Sequence, residues 1–197
     1  MNKSPMTKNI GLFFGSFNPI HIGHLLLATH MREATQLDEI WFIVSPQNPF
    51  KKSSDLADEH HRLEMVKLAI ENVSYFNVLD IEFNLPKPSY THLTLKELMK
   101  QYTTHKFSLI IGEDNVAKFN EWKEVDWILE NVDILVYNRT TENLKSQISN
   151  LKYYNLPLFD ISSTEIRKRI KNKQSIKYFV SEKVNYYIES SSLYNEY

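Results

Sequence analysis

The sequence predicts an α/β fold, a doubly wound parallel sheet with helices on both faces. Three observations predict it. Short apolar runs alternate with stretches of helical periodicity along the chain. The runs read as buried strands, because their apolar residues are contiguous. Each run gives way to glycine, proline or polar residues before the next periodic stretch begins, which is the pattern of strand–helix–strand units.

The elements follow in order. Ile10 to Phe14 is the first apolar run and ends at Gly15. Ile22 to Ala34 reads as a helix with Leu25, Leu26, Ala28 and Thr29 on its inner side. Ile40 to Val44 is a second strand, closed by Pro46 and Pro49. Asp58 to Asn72 is helical, with Leu63, Val66, Leu68 and Ile70 apolar and Asp58 able to cap its first turn. Phe76 to Phe83 alternates like a third strand. A loop from Leu85 to Ser89 leads into a helix from Thr91 to Gln101, with Ser89 or Thr91 as its cap. Phe107 to Ile111 is a fourth strand ending in Gly112. A helical stretch runs from Asp114 to Glu130, and Asp133 to Tyr137 is a fifth strand. Leu156 to Phe159 reads as a short sixth. Thr164 to Lys173 and Glu182 to Ser190 are the last helices. Thr140 to Tyr154 is the most polar stretch and reads as a surface excursion.

The composition narrows the function. The chain has 197 residues, 42% hydrophobic and 24% charged, enough for one globular core. Nothing in it marks a linker, so residues 1–197 read as a single domain. It has no cysteine, which removes disulfides, cysteine-ligated metal and thiol nucleophiles. This fits a reducing, cytoplasmic setting. The formal net charge of −1 argues against an extended nucleic-acid footprint. No apolar run reaches the roughly 18–20 residues that span a bilayer, so no membrane partner is expected. The chain has four glycines, Gly11, Gly15, Gly23 and Gly112, and three of them stand at or near the first strand–helix junction.

In open parallel sheets ligands bind beyond the carboxyl ends of the strands. After the first strand the chain reads Gly15-Ser16-Phe17-Asn18-Pro19-Ile20-His21-Ile22-Gly23-His24. Gly15 lets the backbone turn sharply there. The helix that follows presents free N–H groups and a partial positive charge, which suit phosphate. His21 and His24, three apart, share a helical face and can both donate to phosphate oxygens. One capping histidine and one packed in the core is the plainer reading, but two at a ligand-binding junction favour function. A zinc site lacks a third nearby ligand. Near residue 160 the sequence Ile161-Ser162-Ser163-Thr164-Glu165-Ile166-Arg167 opens a basic helix. Ser163 or Thr164 can cap it. Arg167, one turn in, offers a planar fork to phosphate.

The first of these segments resembles the signature of the nucleotidyltransferase superfamily with the motif H-x-G-H, and the second is similar to its I-S-S-T-x-I-R motif. Asn18 stands where the commonest form has aspartate. Three further segments resemble the bacterial nicotinate-nucleotide adenylyltransferases: Pro46-Gln47-Asn48-Pro49-Phe50-Lys51, then Pro88-Ser89-Tyr90-Thr91-His92, then Gly112-Glu113-Asp114 followed by Trp122. Phe50 stands where that family has histidine. Arg139 resembles a family arginine near the nucleotide. The resemblance runs from Gly15 to Arg167 and implies a Rossmann-like nucleotidyltransferase domain.

It also implies the chemistry. AMP passes from ATP, accompanied by Mg²⁺, to nicotinate mononucleotide, giving nicotinate adenine dinucleotide and pyrophosphate. His21, His24, Lys51 and Arg167 are the catalytic candidates. Gly15, Ser16, His21, His24, Gly112, Asp114, Ile161, Ser163, Thr164 and Arg167 would bind ATP. Ser16, Lys51, Tyr90, Thr91 and Trp122 would bind the mononucleotide, with the Tyr90–Thr91 amides on the ring carboxylate and Trp122 stacked on the ring. No metal site built from protein ligands is implied. A nicotinamide or phosphopantetheine acceptor, or a non-catalytic nucleotide-binding regulator, are the rival readings. Missing lysine-loop and basic-surface features disfavour a tRNA synthetase. The sequence leaves a homo-oligomer open.

Overall fold

A computed structural model of the chain describes residues 6–47, 56–138, 151–157 and 159–195. Its strands are β1 (Asn9–Gly15), β2 (Glu39–Val44), β3 (Phe76–Leu79), β4 (Lys106–Gly112), β5 (Asp133–Asn138) and β6 (Leu151–Asn155). Its helices are α1 (Ile22–Thr35), α2 (Glu59–Ile70), α3 (Thr91–Gln101), α4 (Glu113–Val116), α5 (Val125–Asn131), α6 (Ser163–Lys171) and α7 (Glu182–Ser190). The strands form one sheet in the order β3-β2-β1-β4-β5-β6, and each neighbouring pair is parallel. The α/β expectation therefore holds, with helices on both faces.

Two apolar clusters lie on the two faces of the sheet. One packs Phe13, Phe42 and Val44 against Leu27, Ala28 and Met31 of α1, Val66 of α2, and Val184 and Ile188 of α7. The other packs Ile10, Leu12, Trp41 and Leu109 against Leu95 and Leu98 of α3 and Ile128 of α5. Gly11 falls between these layers. A Cβ there would stand 2.7–2.8 Å from the tips of Leu37, Ile110 and Ile40, so the residue clears space for the core. In register, Leu12 lies opposite both Trp41 and Leu109. The order reverses between β1 and β4, which makes their carboxyl ends the switch point where ligands bind.

Several expectations need correction. The sixth strand is Leu151–Asn155, overlapping the end of the polar stretch and lying before the run expected to form it. Its half-buried, tyrosine-rich edge gives no contiguous apolar run. β3 stops at Leu79, and a 3-10 turn follows at Ile81–Asn84. The helix expected from Asp114 to Glu130 is broken. Trp122 is extended (φ −72, ψ 141) and Glu124 is left-handed (φ 56), so α4 and α5 are separate. α1 buries Gly23, Leu27, Ala28 and Met31 while Leu26 is exposed. Asp58 caps α2 as expected, accepting from the His60 amide at 2.8 Å. α3 instead starts at Tyr90 with no side-chain cap. Among the described residues no helix is long and apolar enough to cross a membrane.

Candidate active site

Two cavities meet over the carboxyl ends of β1 and β4, sharing Phe13, Phe14 and Tyr137. The first, about 420 Å³, lies between the first junction and α6. Gly15, Ser16, His21 and His24 line one side, and Ile161, Ser163, Thr164 and Arg167 line the other. The second, about 340 Å³, lies between β4 and the start of α3. Tyr90, Thr91, Gly112 and Trp122 line it. Lys51, with Phe50 and Arg139, lies outside the described residues.

At the first junction the two imidazoles stack, centroids 3.6 Å apart and planes 26° from parallel. The His21 amide donates to His24 Nδ1 at 3.3 Å. With Nδ1 accepting, the ring proton of His24 belongs on Nε2. A neutral His24 can then donate from Nε2. Two stacked imidazolium cations would repel each other, so the neutral donor suits the pair. Phe17 lies 5.2 Å from the His24 ring, centroid to centroid, and Phe13 lies 6.1 Å away.

The glycines work differently from expectation. Neither Gly15 nor Gly23 has a positive φ, whereas Phe17 is left-handed at φ 46 and buried. The sharp turn is therefore carried by Phe17, a conformation costly for a bulky residue and typical of sites under constraint. Gly15 leaves room for the Phe17 ring, which a Cβ would meet at 2.7 Å. Gly23 leaves room for His21 Nδ1, at 3.1 Å from such a Cβ, and for Ile161, at 3.5 Å. The amides opening α1 are also less available than expected. Ile22 donates to the Phe179 carbonyl at 2.8 Å, and the His24 amide turns back to His21 at 2.9 Å.

The last junction is tied to the first. Ser162 caps α6, accepting from the Glu165 amide at 3.1 Å, one residue before the serine and threonine expected in that role. Ser163 is thereby freed to donate through its hydroxyl to Pro19 O at 2.9 Å. Arg167 donates to Asn18 O at 2.8 Å. The Asn18 side chain is itself a node. Its Oδ1 accepts from the Ala57 amide at 3.1 Å and from the Tyr194 hydroxyl at 2.9 Å. A neutral amide oxygen meets both demands, so the carboxylate of the commoner motif is dispensable for them.

Sequence reasoning missed Arg62. It is 1% exposed on α2. It donates to Ala57 O at 2.9 Å, Ser16 O at 2.6 Å, Ser45 O at 2.7 Å and Pro46 O at 3.1 Å. One guanidinium thus clips the loop after β1 to the loop after β2. The signal for it was slight, a lone cation among the apolar positions of a helix.

In the second cavity Trp122 leans on Phe119, ring centroids 5.0 Å apart, and Lys123 holds its ammonium 3.9 Å from the Tyr90 ring centre. Ser89 is anchored by its amide to Gln47 O at 3.0 Å. The sequence reading also overlooked Glu82, 1% exposed, which accepts from the Thr94 hydroxyl at 2.8 Å. Burial pushes its carboxyl above the usual range, although hydroxyls of Thr94, Ser45 and Ser89 pull the other way. Asp114 lines neither cavity. It is exposed in the first turn of α4, beside Gly112.

The model of the cytidylyltransferase-like family matches residues 12–169, the class of nucleotidyl-transferring proteins to which this fold corresponds. Probable nicotinate-nucleotide adenylyltransferases are the named relatives. That of Cytophaga hutchinsonii is 47% identical over 95% of this chain and 99% of its own. That of Flavobacterium johnsoniae is 45% identical over 95% and 99%, and that of Bacteroides fragilis 48% over 86% and 86%. The chain belongs to the nicotinate-nucleotide adenylyltransferase family. The fold is shared with the Plasmodium falciparum nicotinic acid mononucleotide adenylyltransferase complexed with NaAD. The TM-score is 0.79, with 22% identity over 95% of this chain and 98% of that one.

Proposed function

We propose that this chain transfers the adenylyl group of ATP to nicotinate mononucleotide, in the cytoplasm, with the first cavity holding the triphosphate and the second the pyridine ring. The observation that carries this reading is the meeting of the two cavities at one switch point. One is lined by the His21–His24 stack and Arg167, the other by Trp122 and the start of α3.

The acceptor's phosphate oxygen attacks the α-phosphorus of ATP in line. A new P–O bond forms while the bond to the bridging oxygen toward the β-phosphorus breaks, and pyrophosphate leaves with the electron pair. No general base is needed, because a phosphate monoester is mostly dianionic at neutral pH. Catalysis is then positioning and charge stabilisation. His24 donates from Nε2 to the phosphate oxygens, with His21 beside it. Arg167 exchanges the Asn18 carbonyl for the departing pyrophosphate, and Lys51 restrains the attacking phosphate. Mg²⁺ enters as part of the MgATP substrate. Magnesium commonly keeps most of its ligands as phosphate oxygens and water.

The test measures pyrophosphate release from ATP and Mg²⁺ with nicotinate mononucleotide, nicotinamide mononucleotide or phosphopantetheine. Fastest release with nicotinate mononucleotide is expected. Release only with phosphopantetheine, or with none of the three, overturns the assignment.

A further inference from the structure

We propose that Arg62 is a positioning residue for adenylyl transfer, its guanidinium setting the spacing between the cavity that takes the triphosphate and the cavity that takes the acceptor. The inference rests on the reading that these cavities take ATP and the mononucleotide.

β1 and β2 run side by side, and a rung at their carboxyl ends joins the Ser45 amide to Gly15 O at 2.9 Å. Beyond that rung the two chains serve different cavities. Ser16 lines the first and Ser45 lines the second. Arg62 stands where they part. Its Nη1 donates to Ser16 O at 2.6 Å and to Ser45 O at 2.7 Å, so one nitrogen holds a carbonyl from each side. The same fork carries the tie further in both directions. Nη2 donates to Pro46 O, and the next carbonyl, Gln47 O, accepts from the amide of Ser89 on the second cavity. Nε donates to Ala57 O, the Ala57 amide donates to Asn18 Oδ1, and Asn18 O accepts from Arg167 on the first cavity.

Arg62 is 1% exposed and lines neither cavity, so it acts through the loops it holds. A stable fold asks only that buried carbonyls find donors. A reaction between ligands in two cavities asks more, because the cavities must stand at a fixed separation. In-line attack needs the reacting atoms about 3–3.5 Å apart, and a misplacement of about 1 Å can cost a hundredfold. A guanidinium suits this demand, since its N–H groups point in fixed directions within one plane and hold several carbonyls at set positions. A lysine ammonium is a point charge on a flexible stem and leaves the separation loose.

The experiment compares the parent with Arg62→Lys and Arg62→Gln, well below their melting temperatures. Calorimetric titration with ATP and Mg²⁺ alone, and with nicotinate mononucleotide alone, gives each affinity and the fraction of chains able to bind. Rapid-quench single turnovers, with enzyme and acceptor in excess over ATP, give the rate of transfer per binding-competent chain. Both variants should keep each separate affinity within about threefold. Their transfer rate per competent chain should fall about tenfold or more. Lost stability alone lowers the competent fraction and leaves that rate untouched. A rate per competent chain equal to the parent's overturns the proposal, as does a loss confined to the two affinities. Variants that bind neither substrate overturn it too, since Arg62 would then build the sites rather than space them. A parent that binds ATP but adenylylates no mononucleotide overturns the functional reading, and this proposal with it.

Discussion

In the proposed mechanism His24 is a phosphate donor whose tautomer is favoured by the backbone. The His21 amide donates to Nδ1, which favours the tautomer with its proton on Nε2. His24→Ala should lower turnover about a hundredfold or more, the usual loss for one stabilising donor, with little change in thermal midpoint. Near-normal turnover would remove it from the mechanism. Glu82 makes a separate, pH-dependent prediction. Its carboxyl is held above the usual range by burial, so the folded chain binds that proton more tightly than the unfolded chain does. The stability it contributes is greatest below the unfolded-state pKa and is lost as pH rises toward the raised value. Glu82→Gln abolishes that loss. Its melting temperature relative to the parent should be more favourable at about pH 7, above the ordinary carboxylate range, than at about pH 4, within it. Equal differences at the two pH values would refute the assignment.

At the scale of elements, Arg62 makes α2 a clamp on two loops. Arg62→Met leaves buried carbonyls of Ser16, Ser45, Ala57 and Pro46 short of a donor. Stability should fall by roughly 3 kcal/mol or more in denaturant titration. A loss under about 1 kcal/mol would show that the loops hold without it. The clamp also illustrates what the sequence made legible. Central strands were readable because burial on both faces leaves contiguous apolar runs, as in Ile40 to Val44. β6 was not, since an edge strand with the sequence Leu-Lys-Tyr-Tyr-Asn has no fully buried residue and no contiguous apolar run. The broken helix after Gly112 turns on Glu124 adopting φ 56, a conformation no residue type there announces. Within the candidate site, the histidines and Arg167 were legible because their spacing follows the helices that carry them. Arg62, Glu82 and Tyr194 were not, because buried polar groups depend on partners far along the chain. The α6 cap fell one residue early for a related reason, since Ser163 is drawn to Pro19 across 144 positions.

For the whole molecule, the loop after β1 depends on chain far beyond it. Tyr194→Phe deletes the hydroxyl that reaches Asn18 and should cost about 1 kcal/mol of stability by chemical denaturation. No change would show that the Ala57 amide alone suffices. The same contact has a consequence for manufacture. Asn18 emerges early in translation, yet its tyrosine partner follows 176 positions later and its arginine partner 149. At about 5–20 residues per second, the ribosome spends roughly 10–35 seconds between the first and last of these. Over that interval the nascent chain carries its histidine pair with only the earlier braces from Ala57 and Arg62 already made. The bracing of that loop is therefore complete only after residue 194 has been made and has left the exit tunnel, so the end of the chain is the last part to reach the first junction.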